Sequence, residues 1–158
     1  MYNDAIKSKA SKLSHKLAIK PKYLIVAFIN GAVILMLEII DARIMAPYFG
    51  ASIYVWTAII GVILTALSLG YWYGGVLADK KAKKLLIADI FLLASNTLLV
   101  SRLVQDSVLA FVIDNVDGLR LQAFVAAMLI FFPLNALLGM VSPFIAEISL
   151  KDTSKAGR

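Results

Sequence analysis

Three charged residues at the end of a long apolar run are the side chains of this sequence best placed to do chemistry. Glu38, Asp41 and Arg43 close the run 23–40, which is long enough to cross a bilayer. A charge at mid-membrane costs about 2.5–3.5 kcal/mol on insertion scales, so such residues usually have a function. On a helix Glu38 and Asp41 share a face, whereas Arg43 lies to the side. Either the two carboxylates bind a cation (a protonated amine or a transported proton), or Glu38 pairs with Arg43 or Arg102 and only holds the helices together.

The composition predicts what must position these residues. The 158 residues are 61% hydrophobic, with a mean hydropathy of +0.85, which is not the composition of an ordinary soluble domain. Four apolar stretches reach the length of about 18–25 residues that spans the hydrocarbon core. We therefore predict an all-α fold, a polytopic membrane helical bundle with four transmembrane helices at 23–44, 53–77, 85–103 and 121–144.

The basic residues predict how this bundle is oriented. Thirteen of the 16 Lys and Arg lie in the N-terminal tail, the second loop and the C-terminus, while only Arg43, Arg102 and Arg120 fall on the other side. By the positive-inside rule, both termini and the second loop are expected to be cytoplasmic, in a plasma or inner membrane. The net charge of +6 is therefore interpreted as a topology signal, and no nucleic-acid partner is expected.

The chain divides into three predicted parts. Residues 1–22 form a basic cytoplasmic tail, whose apolar residues at helical spacing suit an amphipathic segment on an anionic leaflet. A solvated tail that only fixes topology is an equally good interpretation. Residues 23–148 form the four-helix transmembrane domain, and 149–158 form a cytoplasmic C-terminal tail.

Small residues and prolines predict how the second and fourth spans pack. Ala66, Gly70 and Gly74 recur every four residues, so they present one smooth face to which another helix can come close. Pro133, within the fourth span, and Pro143, near its end, are expected to kink the helix because proline has no backbone N–H.

The third span contains one polar residue near its middle. Asn96 is predicted to hydrogen-bond to a neighbouring helix or to join Glu38, Asp41 and Arg43 in binding a substrate. Beyond this span, the apolar stretch 108–113 is too short to cross the membrane and is predicted to lie at its outer surface.

Several motifs, in order along the chain, resemble those of one family. They lie at 38–43, 46–50, 52–57, 61–70, 74–79 and 137–144. Over about residues 24–150 the sequence resembles the N-terminal membrane region of spermidine synthase-like membrane proteins. The resemblance implies a transporter-like helical region and a polyamine as ligand. In that family a soluble aminopropyltransferase-type domain follows, with a glycine-rich nucleotide-binding loop. No strand–glycine-loop–helix unit is found in this sequence, so we expect no enzyme activity and no cofactor.

The loop after the second span resembles a second pattern. Gly75, Asp79, Lys80 and Lys84 are similar to the loop between the second and third spans of major facilitator transporters, although Ala82 stands where that motif usually has glycine. The resemblance implies a gating role, in which an ion pair breaks and re-forms as helix bundles move. A static topology signal is the alternative.

The remaining residue types narrow the function. The chain has no cysteine and one histidine, so no metal site is predicted, and it shows no serine–histidine constellation for catalysis. We predict a transporter-like or binding subunit for a cationic metabolite such as a polyamine. Since four spans are too few for a two-bundle carrier, it would work as a homo-oligomer or with a second membrane or soluble subunit. The alternatives are a membrane scaffold that anchors a separately encoded soluble enzyme, and a small four-span cation or multidrug exporter.

Overall fold

The computed structural model describes residues 21–81 and 84–155, and this part of the chain folds into five α-helices. Helix α1 is Pro21–Phe49, α2 is Ile53–Lys81, α3 is Lys84–Asn115, α4 is Leu119–Ile130 and α5 is Phe132–Lys155. The helices α1, α2, α3 and α5 contain apolar stretches of 27, 28, 31 and 18 residues, each long enough to cross a bilayer. The predicted all-helical class with four membrane-length helices is thus confirmed.

Two of the earlier predictions stay predictions. The amphipathic tail at 1–22 falls almost entirely outside the described residues, which begin at Pro21. The orientation of the bundle depends on the positive-inside rule, and the division of the chain into three parts depends on that orientation. The helix α5 itself continues to Lys155, through most of the predicted C-terminal tail.

The predicted fourth span, 121–144, is wrong in its bounds. The helix breaks at Phe131, so that α4 has 12 residues and the membrane-length stretch is Phe132–Ser149 in α5. Pro133 explains the break, because it has no N–H for the carbonyl of Leu129 and is tolerated only in the first turn of a helix. Pro143, by contrast, lies inside α5 without ending it.

The stretch 108–113 forms the last part of α3. Its predicted position at the outer surface of the membrane stays a prediction. Leu109 and Val112 are fully buried because α4 folds back along α3 and covers them with Ala123 and Ala126.

The closest approach of backbones in the bundle is between α2 and α5. A Cβ at Gly74 would lie 2.7 Å from Met140 Cα, and a Cβ at Gly139 would lie 2.9 Å from the carbonyl oxygen of Leu67. Gly70 faces the main chain of α5 in the same way, and Ala66, on the same face, is fully buried. The small residues of α2 therefore lie in the seam between these two helices, where any larger side chain would collide with backbone.

The two ends of the bundle have separate cores. At the end where α1 meets α2 and α3 meets α4, here called the first-loop end, Met45, Ile59 and Leu109 are among the buried residues. The other core includes Phe144 and Ile148 of α5. Both turns at the first-loop end contain a glycine of positive φ, Gly50 at +75° and Gly118 at +88°, a conformation that L side chains rarely adopt.

Candidate cation site beside a broken helix

The side chain of Asp41 is buried inside the bundle. It is only 5% exposed, and its neighbour Ala42 belongs to the core of the first-loop end. Within the described part of the chain, Asp41 Oδ2 has no hydrogen-bond partner. A buried carboxylate oxygen without a partner costs free energy, since nothing replaces the water it has lost. Packing alone therefore gives no reason for an aspartate at this position.

Two charged side chains act on Asp41 electrostatically. Arg102 of α3 attracts it, and Glu38, one helical turn earlier on α1, repels it. Glu38 is half-buried and Arg102 is exposed. Arg43 is also exposed and does not act on Asp41 in this way, so of the three residues at the end of the first apolar run only Glu38 and Asp41 are brought together. The structure thus places Arg102 where it attracts Asp41. The predicted pairing of Glu38 with Arg43 or Arg102 is not among the ion pairs of the described residues.

A hydrogen bond joins α1 and α3 near the first-loop end. The Tyr48 hydroxyl donates to Asp106 Oδ1 at 3.3 Å. Tyr48 is two helical turns after Asp41, and Asp106 is about one turn after Arg102. Because Asp106 follows Arg102 on α3 as Tyr48 follows Asp41 on α1, the two helices run in the same direction here. We call the polar side chains between them the polar strip; its members are Glu38, Asp41, Tyr48, Arg102, Gln105 and Asp106.

Within the polar strip, Arg102 is only partly free. Its Nη1 donates to Gln105 Oε1, one turn later on α3, at 2.6 Å. The remaining donors of the guanidinium can still face Asp41, because arginine has five N–H groups. Arg102 is therefore an exposed cation that attracts the buried carboxylate of Asp41 without forming an ion pair with it.

The helix break between α4 and α5 adjoins the polar strip through α3. Ser101, the residue before Arg102, donates its hydroxyl to the carbonyl oxygen of Ile130 at 3.1 Å. On the other side of the break, the fully buried Asn135 donates Nδ2 to the carbonyl oxygen of Phe131 at 3.0 Å. Ser101 thus gives the Ile130 carbonyl a side-chain partner from another helix, whereas the Phe131 carbonyl also accepts the backbone N–H of Asn135 at 3.2 Å.

Sequence reasoning missed the two buried asparagines. Asn30 of α1 is 2% exposed and donates Nδ2 to the carbonyl oxygen of Leu138 on α5. Asn135 sits at the break, and its Oδ1 has no partner among the described residues. Asn96 was singled out because it is a polar residue within an apolar run, and the same criterion applies to Asn30 and Asn135. Hydropathy does not tell which of the three faces inward.

Asn96 itself lies on the exposed surface of α3. Its near neighbour Ala94 is buried, and two residues rotate by about 200° around a helix, so Asn96 points away from the bundle. The structure does not bring Asn96 together with Glu38 and Asp41 in this chain.

The loop motif lies at the opposite end of the bundle from Asp41. Asp79 and Lys80 are exposed in the last turns of α2, and Lys84 begins α3. Gly75 has open space where a Cβ would stand. The residue Ala82 is outside the described part of the chain. The gating interpretation of this motif remains a prediction, separate in space from the polar strip.

A metal ion would depend on how the acidic groups of the described residues are placed. Across residues 21–81 and 84–155, no three or more His, Cys, Asp or Glu side chains are grouped so that they could hold a metal ion. The polar strip offers one buried and one half-buried carboxylate about one turn apart on the same helix.

The fold and the site define a class of protein: an all-helical, multi-pass membrane protein with a buried carboxylate near a broken helix. Comparison with known protein families, with curated proteins and with solved structures finds no match for this chain.

Proposed function

We propose that this chain is a transporter-like or binding subunit for a small organic cation such as a polyamine, with Asp41 as its principal carboxylate. The observation that carries the proposal is the burial of Asp41 with Oδ2 unpartnered among the described residues. An ammonium group is a compact cation with several N–H donors, so it would supply both the charge and the hydrogen bond that this oxygen lacks.

Glu38 gives the site a second acidic group. It lies three residues before Asp41, about 4.5 Å along the helix axis, and is half-buried. Polyamines carry ammonium groups separated by short methylene chains, so one molecule can contact two carboxylates while its methylenes contact apolar side chains. The resemblance to spermidine synthase-like membrane proteins supports the same ligand class.

Arg102 supplies a counter-charge in the absence of ligand. It attracts Asp41 from the exposed surface of α3 and so offsets the repulsion from Glu38. An incoming cation then exchanges with the guanidinium, which retains Gln105 as a partner. The free-energy cost of burying the carboxylates is thereby reduced both with and without ligand, since in each state a cation offsets the repulsion between Asp41 and Glu38.

The position of the polar strip favours an assembly. Only 11% of the most apolar stretch of α3 is buried, so this helix forms an edge of the bundle. Four spans are also too few to build the usual two-bundle alternating-access carrier from one chain. A homo-oligomer or a second membrane subunit would cover α3 and close the site from lipid.

Thermal unfolding with spermidine tests the proposal. The full chain is reconstituted in nanodiscs and melted with and without spermidine, beside Asp41→Asn and the control Asp114→Asn, which removes an exposed acid at the end of α3. We expect spermidine to raise the Tm of the wild type and the control, because a ligand that binds the folded state stabilises it. The Asp41→Asn protein should show an affinity at least about tenfold weaker, and Glu38→Gln a smaller loss.

Equal stabilisation of all the proteins by spermidine would reject the cation site, because surface charge alone would then explain binding. Uptake of labelled spermidine into proteoliposomes separates a transporter from a binding subunit. If spermidine has no effect and a soluble enzyme co-purifies with the chain in fixed ratio, the scaffold interpretation replaces this proposal.

A further inference from the structure

A groove runs between α2 and α4 on the surface of the bundle. It begins at the first-loop end and has a volume of about 490 Å³. Its lining includes Tyr54, Thr57 and Gly61 from α2 and Arg120 and Phe124 from α4. This groove is separate from the polar strip, which lies between α1 and α3, and it plays no part in the proposed cation binding.

The groove is apolar and open along its length. Gly61 forms part of its floor, and no atom lies within 4 Å of the place where a Cβ would stand. Phe124 is 48% exposed at its side. The helix α2 is long and apolar enough to cross a bilayer, and α4 packs against it. Gly61 lies eight residues, about 12 Å, inside α2 from Ile53. The groove therefore reaches from the membrane surface to the depth of acyl chains.

One cation stands at the mouth of the groove. Arg120 is exposed in the first turn of α4, and its Cζ lies 3.9 Å from the centroid of the Tyr54 ring. A cation–π contact of this kind holds the guanidinium plane while leaving its edge donors available. No carboxylate within residues 21–81 and 84–155 forms an ion pair with Arg120.

We propose that this groove binds an anionic phospholipid, with its phosphate on Arg120 and one acyl chain lying over Gly61. The order of chemistry along the groove, a cation at the membrane surface and then an apolar trough, matches the order of a phospholipid. Guanidinium pairs with phosphate through two parallel hydrogen bonds, and a net negative headgroup adds attraction that a zwitterionic one lacks. Tyr54 and Trp56, both exposed near the start of α2, suit the interfacial level at which the phosphate would lie.

Native mass spectrometry of the full chain, released from detergent micelles, tests this site. The probes are dioleoylphosphatidylglycerol and dioleoylphosphatidylcholine, added in equal amounts. The test variants are Arg120→Gln, which removes the charge, and Gly61→Leu, which fills the trough without meeting another atom at Cβ. The control Arg43→Gln removes another exposed arginine from the same half of the bundle. A Tm measured without added lipid shows that each variant is folded.

We expect the wild type and Arg43→Gln to retain phosphatidylglycerol in preference to phosphatidylcholine. Arg120→Gln should lose about tenfold in that preference, and Gly61→Leu should lose retention of both lipids. Unchanged preference in Arg120→Gln would overturn the proposal. Full phosphatidylglycerol binding in Gly61→Leu would also overturn it, because the acyl chain would then not lie over Gly61. If inorganic phosphate also competes with phosphatidylglycerol, Arg120 binds a phosphate group without any contribution from the acyl chain. Should Arg120→Gln fail to fold, Gly61→Leu decides alone.

Discussion

Asn30 on α1 donates its side-chain amide to the carbonyl oxygen of Leu138 on α5, with 3.2 Å between Nδ2 and O. Both residues are buried, and the bond joins helices that are 108 residues apart in sequence. Because the acceptor is a backbone carbonyl, the specificity of this contact lies in Asn30. The bond connects the helix that carries Asp41 directly to the helix that follows the break.

Replacing Asn30 tests the energy of this connection. Asn30→Leu keeps much of the volume but removes the donor, and we expect the free energy of unfolding to fall by about 0.6–1.7 kcal/mol, the range measured for hydrogen bonds between membrane helices. Reversible unfolding in mixed micelles measures the change. Asn96→Leu is the matched control, since Asn96 is exposed on α3. An equal loss for both variants would mean that the bond to Leu138 contributes nothing of its own.

The seam between α2 and α5 should not tolerate side chains. In Gly74→Val, the Cβ would lie 2.7 Å from Met140 Cα, so the two backbones must separate. Overpacking of this kind costs about 1–3 kcal/mol, and we expect a lower Tm and less folded protein. Gly75→Val is the matched control: it also replaces a glycine of α2 by valine, but the added Cβ at position 75 would have no atom within 4 Å. If Gly75→Val is as unstable as Gly74→Val, helix propensity and not the seam is responsible.

Asp41 and Arg102 should be energetically coupled. Asp41→Asn removes a buried charge, so we expect the ligand-free protein to be as stable as the wild type or more stable, while cation binding is lost. Arg102→Gln should destabilise the wild type but have a smaller effect when Asp41 is already asparagine. A double-mutant cycle from unfolding experiments should give a coupling of at least about 0.5 kcal/mol.

Lys80→Gln is the control for this cycle, because Lys80 is exposed at the opposite end of the bundle from Asp41. Its effect should add to that of Asp41→Asn. If the effects of Arg102→Gln and Asp41→Asn are also additive, Arg102 does not compensate the charge of the Asp41 carboxylate. The proposed exchange of Arg102 for an incoming cation would then have to be abandoned.

The orientation of the bundle can be measured directly because the chain has no cysteine. In Asp117→Cys the thiol lies in the exposed connection between α3 and α4, and in Lys80→Cys it lies at the exposed end of α2. The positive-inside rule predicts that a membrane-impermeant maleimide labels only Asp117→Cys in intact cells, and both after permeabilisation. Labelling of Lys80→Cys alone in intact cells would show that the topology is the opposite of the predicted one. Labelling of both in intact cells would indicate dual insertion and favour a small exporter.

The sequence predicted the positions of the helices better than it predicted the contacts between them. The starts of α2 and α3, at Ile53 and Lys84, fall at the predicted positions or within one residue of them. The helix α3, however, is longer than predicted, because Arg102, Gln105 and Asp106 look like a boundary in a hydropathy plot. In the fold they lie along α3 in the polar strip, with Arg102 and Asp106 facing α1.

The break at Phe131 was only half predictable. Pro133 indicated a kink, but a proline by itself does not say whether a helix bends or ends. At the break, Ser101 of α3 donates to the Ile130 carbonyl oxygen, and Asn135 donates to the Phe131 carbonyl oxygen with both its side-chain amide and its backbone N–H. Only the tertiary structure brings Ser101 to Ile130.

The sequence by itself determined the membrane class, the number of membrane-length helices and the acidic pair at the end of the first apolar run. These follow from local composition, because the length of an apolar run is matched to the thickness of hydrocarbon. The inward faces were decided only by the tertiary structure: Asp41 and Asn30 buried, Arg43 and Asn96 exposed. The physical reason is that lipid and protein interior are about equally apolar, so a membrane helix that is apolar all round carries no hydropathy signal for the side that meets its neighbours.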